Sequence, residues 1–297
     1  MRKDVQDVID GLATSGYVAD RALATTVHLA LALEKPLLVE GAAGVGKTEI
    51  AKALASWLEL DLIRLQCYEG LDVHTSLYEW NYQKQLLRIR LEGDGADHDE
   101  IEKTIYGSEY LLERPLLRAI RSDDRVVLLI DEVDRSDEEF EAFLLEILSD
   151  FQVSIPEVGT LRARSRPIVV LTSNGTRDLS DALRRRCLYL WIDYPDPEKE
   201  LAILRGRFPE LAPELASAAV RLVQRLRGER LSKRPGVAET LDFAAALSVI
   251  GAGALDREAV EATLGALIKD PADVLALDGE TLDRLLSPDA GPAGNET

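Results

Sequence analysis

The strongest chemical signal of this sequence is one short glycine-rich segment. Residues 41–48 read GAAGVGKT and fit the pattern G-x-x-x-x-G-K-[ST] in full. Glycines let a backbone wrap closely around phosphate oxygens, and exposed amides at the start of a helix favour a polyanion. Lys47 is expected to reach the β- and γ-phosphates of a nucleotide, and Thr48 to bind Mg²⁺. The predicted nucleotide-binding residues here are Gly41, Ala42, Ala43, Gly44, Val45, Gly46, Lys47, Thr48 and Glu49.

A pair of carboxylates supplies the second half of this chemistry. Asp131 and Glu132 follow the apolar run VVLLI, and a carboxylate at the end of a buried strand is costly unless it serves a cation. We therefore expect Asp131 to hold Mg²⁺, directly or through water, and Glu132 to orient or deprotonate an attacking water. An adjacent Asp–Glu pair suits hydrolysis by water better than transfer to a bulky acceptor. The alternative is a solvated strand end.

Asn174 and a run of arginines lie further along the chain. Asn174 ends the strand-like segment VVLTSN and is expected to position the same water or to contact the γ-phosphate, with a simple turn as the alternative. The segment Arg184–Arg186 places consecutive cations in a chain of formal net charge −18. Guanidinium groups stay charged and fork onto phosphate oxygens, but arginines at a helix C-terminus also neutralise its dipole. The residues alone leave both interpretations open.

Strand-like and helix-like segments alternate around these residues. A helix is predicted from Thr48, and another over SDEEFEAFLLEIL, where Ser136 and Glu139 form a capping-box pattern. Strands alternating with helices predict an α/β fold with a parallel sheet covered on both faces. From about Pro197 the chain is rich in leucine and alanine with helical periodicity. The predicted strands lie in residues 35–41, 60–67, 125–134, 166–174 and 187–194.

Composition narrows the class of protein. The chain has 297 residues, 46% of them hydrophobic and 30% charged, which is ordinary for a globular protein in water. No run of about 18 apolar residues predicts a membrane span, and the start has no apolar segment typical of a secretory signal. We therefore expect a cytoplasmic protein in which Cys67 and Cys187 are reduced thiols. The acidic balance argues against non-specific binding of nucleic acid.

The order of these motifs resembles that of the AAA+ ATPases, and the resemblance covers nearly the whole chain. In that superfamily a phosphate loop, an acidic pair, a sensor asparagine, an arginine finger and a helical lid follow one another. The resemblance implies an AAA+ P-loop core, an αβα sandwich, at residues 1–196, a helical lid at 197–287 and a disordered tail at 288–297. It also implies ATP and Mg²⁺ as cofactors, and hydrolysis of ATP to ADP and phosphate.

Further segments narrow the resemblance to the MoxR family. A helix-2 insertion is expected over about 68–115, and a hairpin before the sensor strand over about 151–165, with its turn at Pro156–Gly159. Several segments of the sequence are similar to those of the MoxR branch found beside carbon monoxide dehydrogenase genes. The segments that carry this likeness are YVADRALATTVHLALAL, YEWNYQKQLL, FLLEILSDFQVSIPEVGT, SDALRRRCLYLWIDYP and VAETLDFA.

The resemblance assigns further roles. It implies a homo-oligomeric ring, usually a hexamer, in which Arg185 or Arg186 acts as the arginine finger toward the ATP of the next subunit. It implies a sensor-2 cation at Arg234, with Lys233 as the rival, although the Ser-Pro-Arg motif common in the MoxR family is missing here. It places Tyr17 and Val18, with Ala19, near the adenine, although aromatic and small apolar residues of this kind are equally often part of a core. A partner with a von Willebrand type A domain and a protein client, often a metalloenzyme, complete the family pattern.

Two other functions compete with ATP-driven remodelling. A nucleic-acid translocase or restriction-type motor shares the core, and Arg162, Arg164 and Arg166 at period two predict a cationic face on the hairpin. The net charge and the lack of an appended DNA-binding motif count against it. A nucleotide switch without hydrolysis is the third class, and the intact Lys47 and Glu132 argue against it.

Overall fold

The computed structural model describes residues 4–92 and 104–287. They form two compact units. The sheet unit comprises Met1–Gly11, Asp20–Glu40 and Thr48–Trp191, and the helical unit comprises Leu12–Ala19, Gly41–Lys47 and Ile192–Thr297. The predicted disordered tail at 288–297 and part of the predicted insertion, residues 93–103, lie outside the described residues.

The secondary structure alternates between strands and helices up to Ile192 and is helical thereafter. The described strands are β1 (Leu37–Gly41), β2 (Leu62–Gln66), β3 (Tyr78–Trp80), β4 (Leu111–Glu113), β5 (Val127–Asp131), β6 (Gln152–Ile155), β7 (Gly159–Arg162), β8 (Ile168–Ser173) and β9 (Leu188–Ile192). The described α-helices are α1 (Val5–Thr14), α2 (Arg21–Leu33), α3 (Lys47–Leu58), α4 (Val73–Leu77), α5 (Tyr82–Glu92), α6 (Pro115–Arg121), α7 (Glu138–Asp150), α8 (Asp181–Arg186), α9 (Pro197–Arg207), α10 (Pro213–Gly228), α11 (Val237–Val249), α12 (Arg257–Leu267), α13 (Pro271–Ala276) and α14 (Gly279–Leu286).

A five-stranded sheet with the order β2-β5-β8-β1-β9 forms the centre of the sheet unit. The pairs β2–β5, β5–β8 and β8–β1 are parallel. Every residue of β1, β5 and β8 is buried, as expected for strands covered by helices on both faces. This confirms the predicted α/β class, and each of the five predicted strands is present.

Two small antiparallel sheets accompany the main sheet. β3 pairs with β4 within the segment predicted as an insertion, and β6 pairs with β7 just before β8. The second pair is a hairpin with Ser154 opposite Thr160 and Ile155 opposite Gly159. Gly159 has φ +89°, a left-handed conformation that glycine adopts without strain. The hairpin turn therefore has a residue that suits its backbone.

The start of α7 lies one residue later than the sequence pattern suggested. The predicted capping box of Ser136 and Glu139 is wrong, because Asp137 is the N-cap and its carboxylate accepts a hydrogen bond from the Phe140 amide. The Ser136 hydroxyl donates instead to the Val133 carbonyl at 2.7 Å. Asp is as good an N-cap as Ser, so the local sequence offered two equivalent helix starts.

The helical unit contains α9 to α14 around an apolar core. Phe243, Leu226 and Val260 are among its fully buried residues. One buried ion pair crosses this core, with Arg227 donating two hydrogen bonds to Glu200 at 2.6 and 2.8 Å. Arg227 also donates to the Pro235 carbonyl at 2.8 Å, which holds the segment before α11. None of the described helices is both long enough and apolar enough to cross a membrane.

Candidate functional site

The carboxyl edge of the main sheet gathers the polar residues of the sheet unit. The register places Gln66 of β2 beside Asp131 of β5, and Glu40 of β1 beside Ser173 of β8. Parallel strands bring their carboxyl ends to one edge, where ligands of open α/β sheets bind. The apolar strand interiors and the polar strand ends together select this edge as the chemical face.

Asp131 is the most densely contacted carboxylate at this edge. Its Oδ1 accepts hydrogen bonds from the Thr48 hydroxyl at 3.0 Å and the Thr172 hydroxyl at 2.5 Å. Its Oδ2 accepts from the Arg64 guanidinium, at 3.0 Å from Nε and 2.5 Å from Nη2. The side chain is only 4% exposed. Since a buried carboxylate needs hydrogen bonds or a cation, these contacts stabilise the Asp131 side chain and hold it in one orientation.

Glu132 follows Asp131 in a left-handed backbone conformation with φ +56°. This conformation costs a non-glycine residue about 1 to 2 kcal/mol. Its amide donates to the Thr172 hydroxyl at 2.9 Å, which stabilises the turn. Its carboxylate accepts from the Asn174 amide at 3.4 Å and the Gln66 amide at 3.1 Å. The structure thus brings Asp131, Glu132 and Asn174 together, with strain located at the residue predicted to act on water.

Asp134 fixes the loop that carries Asn174. Its carboxylate accepts from the amides of Asn174 and Thr176 and from the Thr176 hydroxyl, the last at 2.6 Å. Burial alone would raise the pKa of Asp134, but the hydrogen bonds from Thr176 and Asn174 lower it below its ordinary value. Asp134 therefore stays ionised and ties the end of β8 to the turn after β5.

The predicted phosphate loop, Gly41–Lys47, belongs to the helical unit. Gly44 and Gly46 have φ +77° and +94°, conformations that glycine adopts readily. The Lys47 ammonium is buried and donates to the carbonyls of Gly41 and Ala42 at 2.9 and 2.6 Å. The loop therefore curls around its own lysine, and its carbonyl groups hold the ammonium in place.

The start of α11 packs directly on this loop. The Gly44 carbonyl accepts hydrogen bonds from the amides of Val237 and Ala238 at 2.9 and 3.2 Å. A Cβ added to Gly236 would lie 2.9 Å from Gly44 backbone atoms, so this approach requires a glycine. Arg234, the predicted sensor-2 residue, is exposed two residues before this contact. Its rival Lys233 is exposed too, and its amide donates to Asp273 at 3.1 Å.

The three arginines of α8 have different surroundings. Arg184 forms a two-pronged ion pair with the buried Glu40, with both N–O distances at 3.0 Å. Burial alone would lower the pKa of Arg184, but the bond to Glu40 raises it above its ordinary value. Arg186 donates to the Ser149 hydroxyl at 2.7 Å and the Ala182 carbonyl at 3.1 Å. Arg185 is exposed, and its side chain has no hydrogen-bond or ion-pair partner among the described residues.

The residues predicted to lie near the adenine belong to the first segment of the helical unit. Tyr17 and Val18 belong to the helical unit and are half-buried, and the Tyr17 amide donates to the Leu12 carbonyl at 2.9 Å. Glu49 is half-buried in α3 and pairs with Lys52. These contacts stabilise local structure.

Several residues of this edge escaped the sequence interpretation. Arg64 and Gln66 alternate with apolar residues in β2, and a polar residue at the carboxyl end of a strand was a usable signal. Thr172 and Asp134 gave a weaker one, because their partners depend on which strands are neighbours. Within the described residues no group of three or more His, Cys, Asp or Glu side chains forms a metal site.

Comparisons with known proteins give relatives and a fold. The chain is 29% identical over 251 residues to the denitrification regulatory protein NirQ of Pseudomonas aeruginosa, a match that covers 82% of this chain and 86% of NirQ. It is 24% identical over 228 residues to the gas vesicle ATPase GvpN of Haloferax mediterranei, covering 73% of this chain and 63% of GvpN. A point mutant of RuvB from Thermotoga maritima superposes with a TM-score of 0.53 at 19% identity, covering 95% of this chain and 77% of that one.

The family itself follows from a match over the central part of the chain. Residues 37–191, more than half of the 297, match the family described as ATPase family associated with various cellular activities (AAA). The match runs from the start of β1 into β9 and so includes the predicted phosphate loop, Asp131, Glu132, Asn174 and the arginines of α8. With its five-stranded parallel sheet and C-terminal helices, the chain has the AAA+ P-loop fold, belongs to the AAA family and is an ATPase that converts ATP and water to ADP and phosphate.

Proposed function

We propose that the chain is a ring-forming, MoxR-type AAA+ ATPase that remodels a protein client together with a von Willebrand type A domain adaptor. The observation that carries the proposal is the contrast within α8. Arg184 and Arg186 are held inside their own subunit, whereas Arg185 is exposed and its side chain has no partner in the described part of the chain. A fixed cation without a local partner is suited to a ligand supplied by a neighbouring subunit.

The nucleotide is bound by the phosphate loop in this proposal. The amides of residues 41–48 cradle the phosphates, and Lys47 exchanges its two carbonyl partners for β- and γ-phosphate oxygens. Tyr17 and Val18 lie by the adenine. Arg234 approaches the γ-phosphate as the sensor-2 residue, and the contact of α11 with Gly44 passes the state of the loop to the rest of the helical unit.

The donor set also fits Mg²⁺. Thr48 and Asp131 are hydrogen-bonded to each other, and both offer oxygen, the ligand that Mg²⁺ prefers. A site with one or two protein oxygens is typical for Mg²⁺ in nucleotide complexes, because phosphates and water complete its shell. Bound there, Mg²⁺ would neutralise charge on the β- and γ-phosphates.

Hydrolysis needs a base and an orienting group for water. Glu132 supplies the base, and its carboxylate is already held by Asn174 and Gln66. Asn174 keeps the water in line with the γ-phosphate. Arg185 of the adjacent subunit stabilises the charge that develops on the transferred phosphoryl group. Arg186 is the alternative finger, but its bonds to Ser149 and Ala182 make it less available.

The partner and the place of action rest on the sequence resemblance and the relatives. The Pseudomonas aeruginosa relative is a regulatory protein of denitrification, which supports a regulatory role. We propose a hexamer in the cytoplasm and a metalloenzyme as the first class of client to test. The branch beside carbon monoxide dehydrogenase genes stays part of this proposal.

The alternative nucleic-acid motor has little support in the hairpin. Arg164 is paired with Asp123, and Arg166 is paired with Glu34 and lies over the Phe151 ring. Since β7 ends at Arg162, the three arginines do not continue along one strand face. The likeness to RuvB concerns the fold alone, because the identity is 19%.

The direct test traps the ATP-bound oligomer with a variant that does not hydrolyse ATP. Glu132→Gln is expected to bind ATP without turnover and to form a hexamer in mass photometry with ATP and Mg²⁺, whereas Lys47→Ala stays smaller. Tagged Glu132→Gln with ATP is then expected to retain a von Willebrand type A domain protein from a lysate of the source cells, and Lys47→Ala is the matched control. A Glu132→Gln variant that stays monomeric at every ATP concentration would count against the ring.

A further inference from the structure

Asp131 has a cation of its own, supplied by the neighbouring strand. Arg64 of β2 donates to Asp131 Oδ2 from Nε at 3.0 Å and from Nη2 at 2.5 Å. The two residues are 67 positions apart in sequence, and the β2–β5 register places Gln66 directly beside Asp131. The arginine side chain is 51% exposed, whereas the aspartate side chain is 4% exposed. A half-exposed cation thus covers a buried anion.

The two oxygens of Asp131 have different partners. Oδ1 accepts from the hydroxyls of Thr48 and Thr172, which orient the carboxylate without adding charge. Among the described residues, the hydrogen bonds to Oδ2 come from Arg64 alone. A divalent cation that approaches Asp131 therefore meets the positive charge of Arg64 at the oxygen that is not already held by hydroxyls.

The same guanidinium also contacts the amide that faces Glu132. Arg64 Nη2 donates to Gln66 Oε1, and this contact orients Gln66 Nε2 toward Glu132 Oε2 at 3.1 Å. Arg64 and Gln66 lie on the same face of β2 because they are two residues apart. The arginine is thereby linked to both acidic residues of the site.

We propose that Arg64 is an internal counter-ion of Asp131 that competes with Mg²⁺ and sets the Mg²⁺ concentration at which the nucleotide complex forms. In the absence of Mg²⁺, Arg64 neutralises Asp131. When Mg²⁺ binds, the half-exposed guanidinium turns to water, where its charge is well solvated. This inference rests on the proposed nucleotide site and makes Arg64 a positioning residue.

The test measures metal binding directly. Mn²⁺ binding to the full chain with saturating ADP is followed by electron paramagnetic resonance, with Mn²⁺ as the probe for Mg²⁺. Arg64→Gln is expected to bind Mn²⁺ about two- to fivefold more tightly than the parent, as the loss of a half-exposed ion pair predicts. Arg64→Lys keeps the charge and is expected to stay within about twofold of the parent.

The matched control is Arg164→Gln, which removes an equally charged side chain from an exposed pair with Asp123. Arg164 precedes β8, so it lies at the opposite, amino edge of the sheet. Its Mn²⁺ affinity is expected to equal that of the parent. Equal or weaker Mn²⁺ binding by Arg64→Gln, relative to this control, would overturn the inference. Failure of the parent to bind Mn²⁺ with ADP would overturn the proposed nucleotide site itself.

Discussion

Two groups of three arginines lie in this acidic chain, and their surroundings differ. The hairpin group is Arg162, Arg164 and Arg166, and the α8 group is Arg184, Arg185 and Arg186. Each group has one exposed arginine, Arg162 or Arg185, whose side chain has no partner among the described residues. The other arginines are paired with residues of the same chain.

The difference lies in what supports the exposed cation. The side chains of Arg164 and its partner Asp123 are 77% and 74% exposed, so this ion pair is solvated and contributes little to stability. Arg184 binds Glu40, whose side chain is 5% exposed, at the carboxyl end of a buried strand. α8 therefore presents Arg185 from a fixed base, whereas Arg162 stands on a two-stranded hairpin. A cation that must reach a phosphate in a defined geometry needs the fixed base.

The largest expected difference concerns turnover. Arg185→Ala is expected to lower kcat for ATP by about 1,000-fold or more, in the range of arginine fingers. Arg162→Ala also removes an exposed arginine and is expected to keep kcat within about twofold of the parent, since surface changes away from a site are mild. Steady-state phosphate release measures both. Equal losses in the two variants would remove the distinction between the groups.

The next difference concerns stability. Arg184→Ala leaves Glu40 buried without its cation and is expected to lower the free energy of unfolding by about 2 to 3 kcal/mol, somewhat less than for a fully buried pair. Arg164→Ala removes an exposed pair and is expected to cost less than about 0.5 kcal/mol. Urea unfolding followed by circular dichroism compares the two. A mild Arg184→Ala variant would mean that Glu40 does not anchor α8.

A smaller, local effect is expected at Cys187, which follows α8. Burial raises the pKa of its thiol to about 12, although Arg186 and Lys35 act to lower it. At a pH of about 8 the native thiol is therefore protonated and unreactive, whereas an exposed thiol with a pKa of about 8.5 is partly thiolate. Arg184→Ala is expected to speed alkylation of Cys187 by about tenfold through local opening.

Peptide mapping separates Cys187 from Cys67 in that measurement. Burial, with the charges of Asp131, Asp134 and Glu132, raises the pKa of the Cys67 thiol to about 12 as well. Cys67 is expected to stay unreactive in the parent, in Arg184→Ala and in Arg164→Ala. An unchanged Cys187 rate in Arg184→Ala would show that α8 is held by contacts other than the pair with Glu40.

Local sequence patterns predicted the fold, and they singled out the central residues of the candidate site. The glycines of residues 41–46 and the apolar run before Asp131 are dictated by backbone geometry and burial, so they are legible without neighbours. The order of the strands and the partners of the charged side chains could not be predicted from local sequence. Arg184 binds a residue 144 positions earlier and Arg64 one 67 positions later. No local sequence rule predicts which of three adjacent arginines is paired within the chain, because the pairing depends on which strand end lies nearby in the fold.

The central claim is that Arg185 acts on the ATP of a neighbouring subunit. Arg185→Ala and Lys47→Ala are mixed in equal amounts, and ATPase rate is recorded against total protein concentration. Neither variant is expected to be active alone, and the mixture is expected to recover activity that rises with concentration, because an intact phosphate loop then faces an intact arginine. Full activity of Arg185→Ala alone, or no recovery in the mixture at any concentration, would contradict the account.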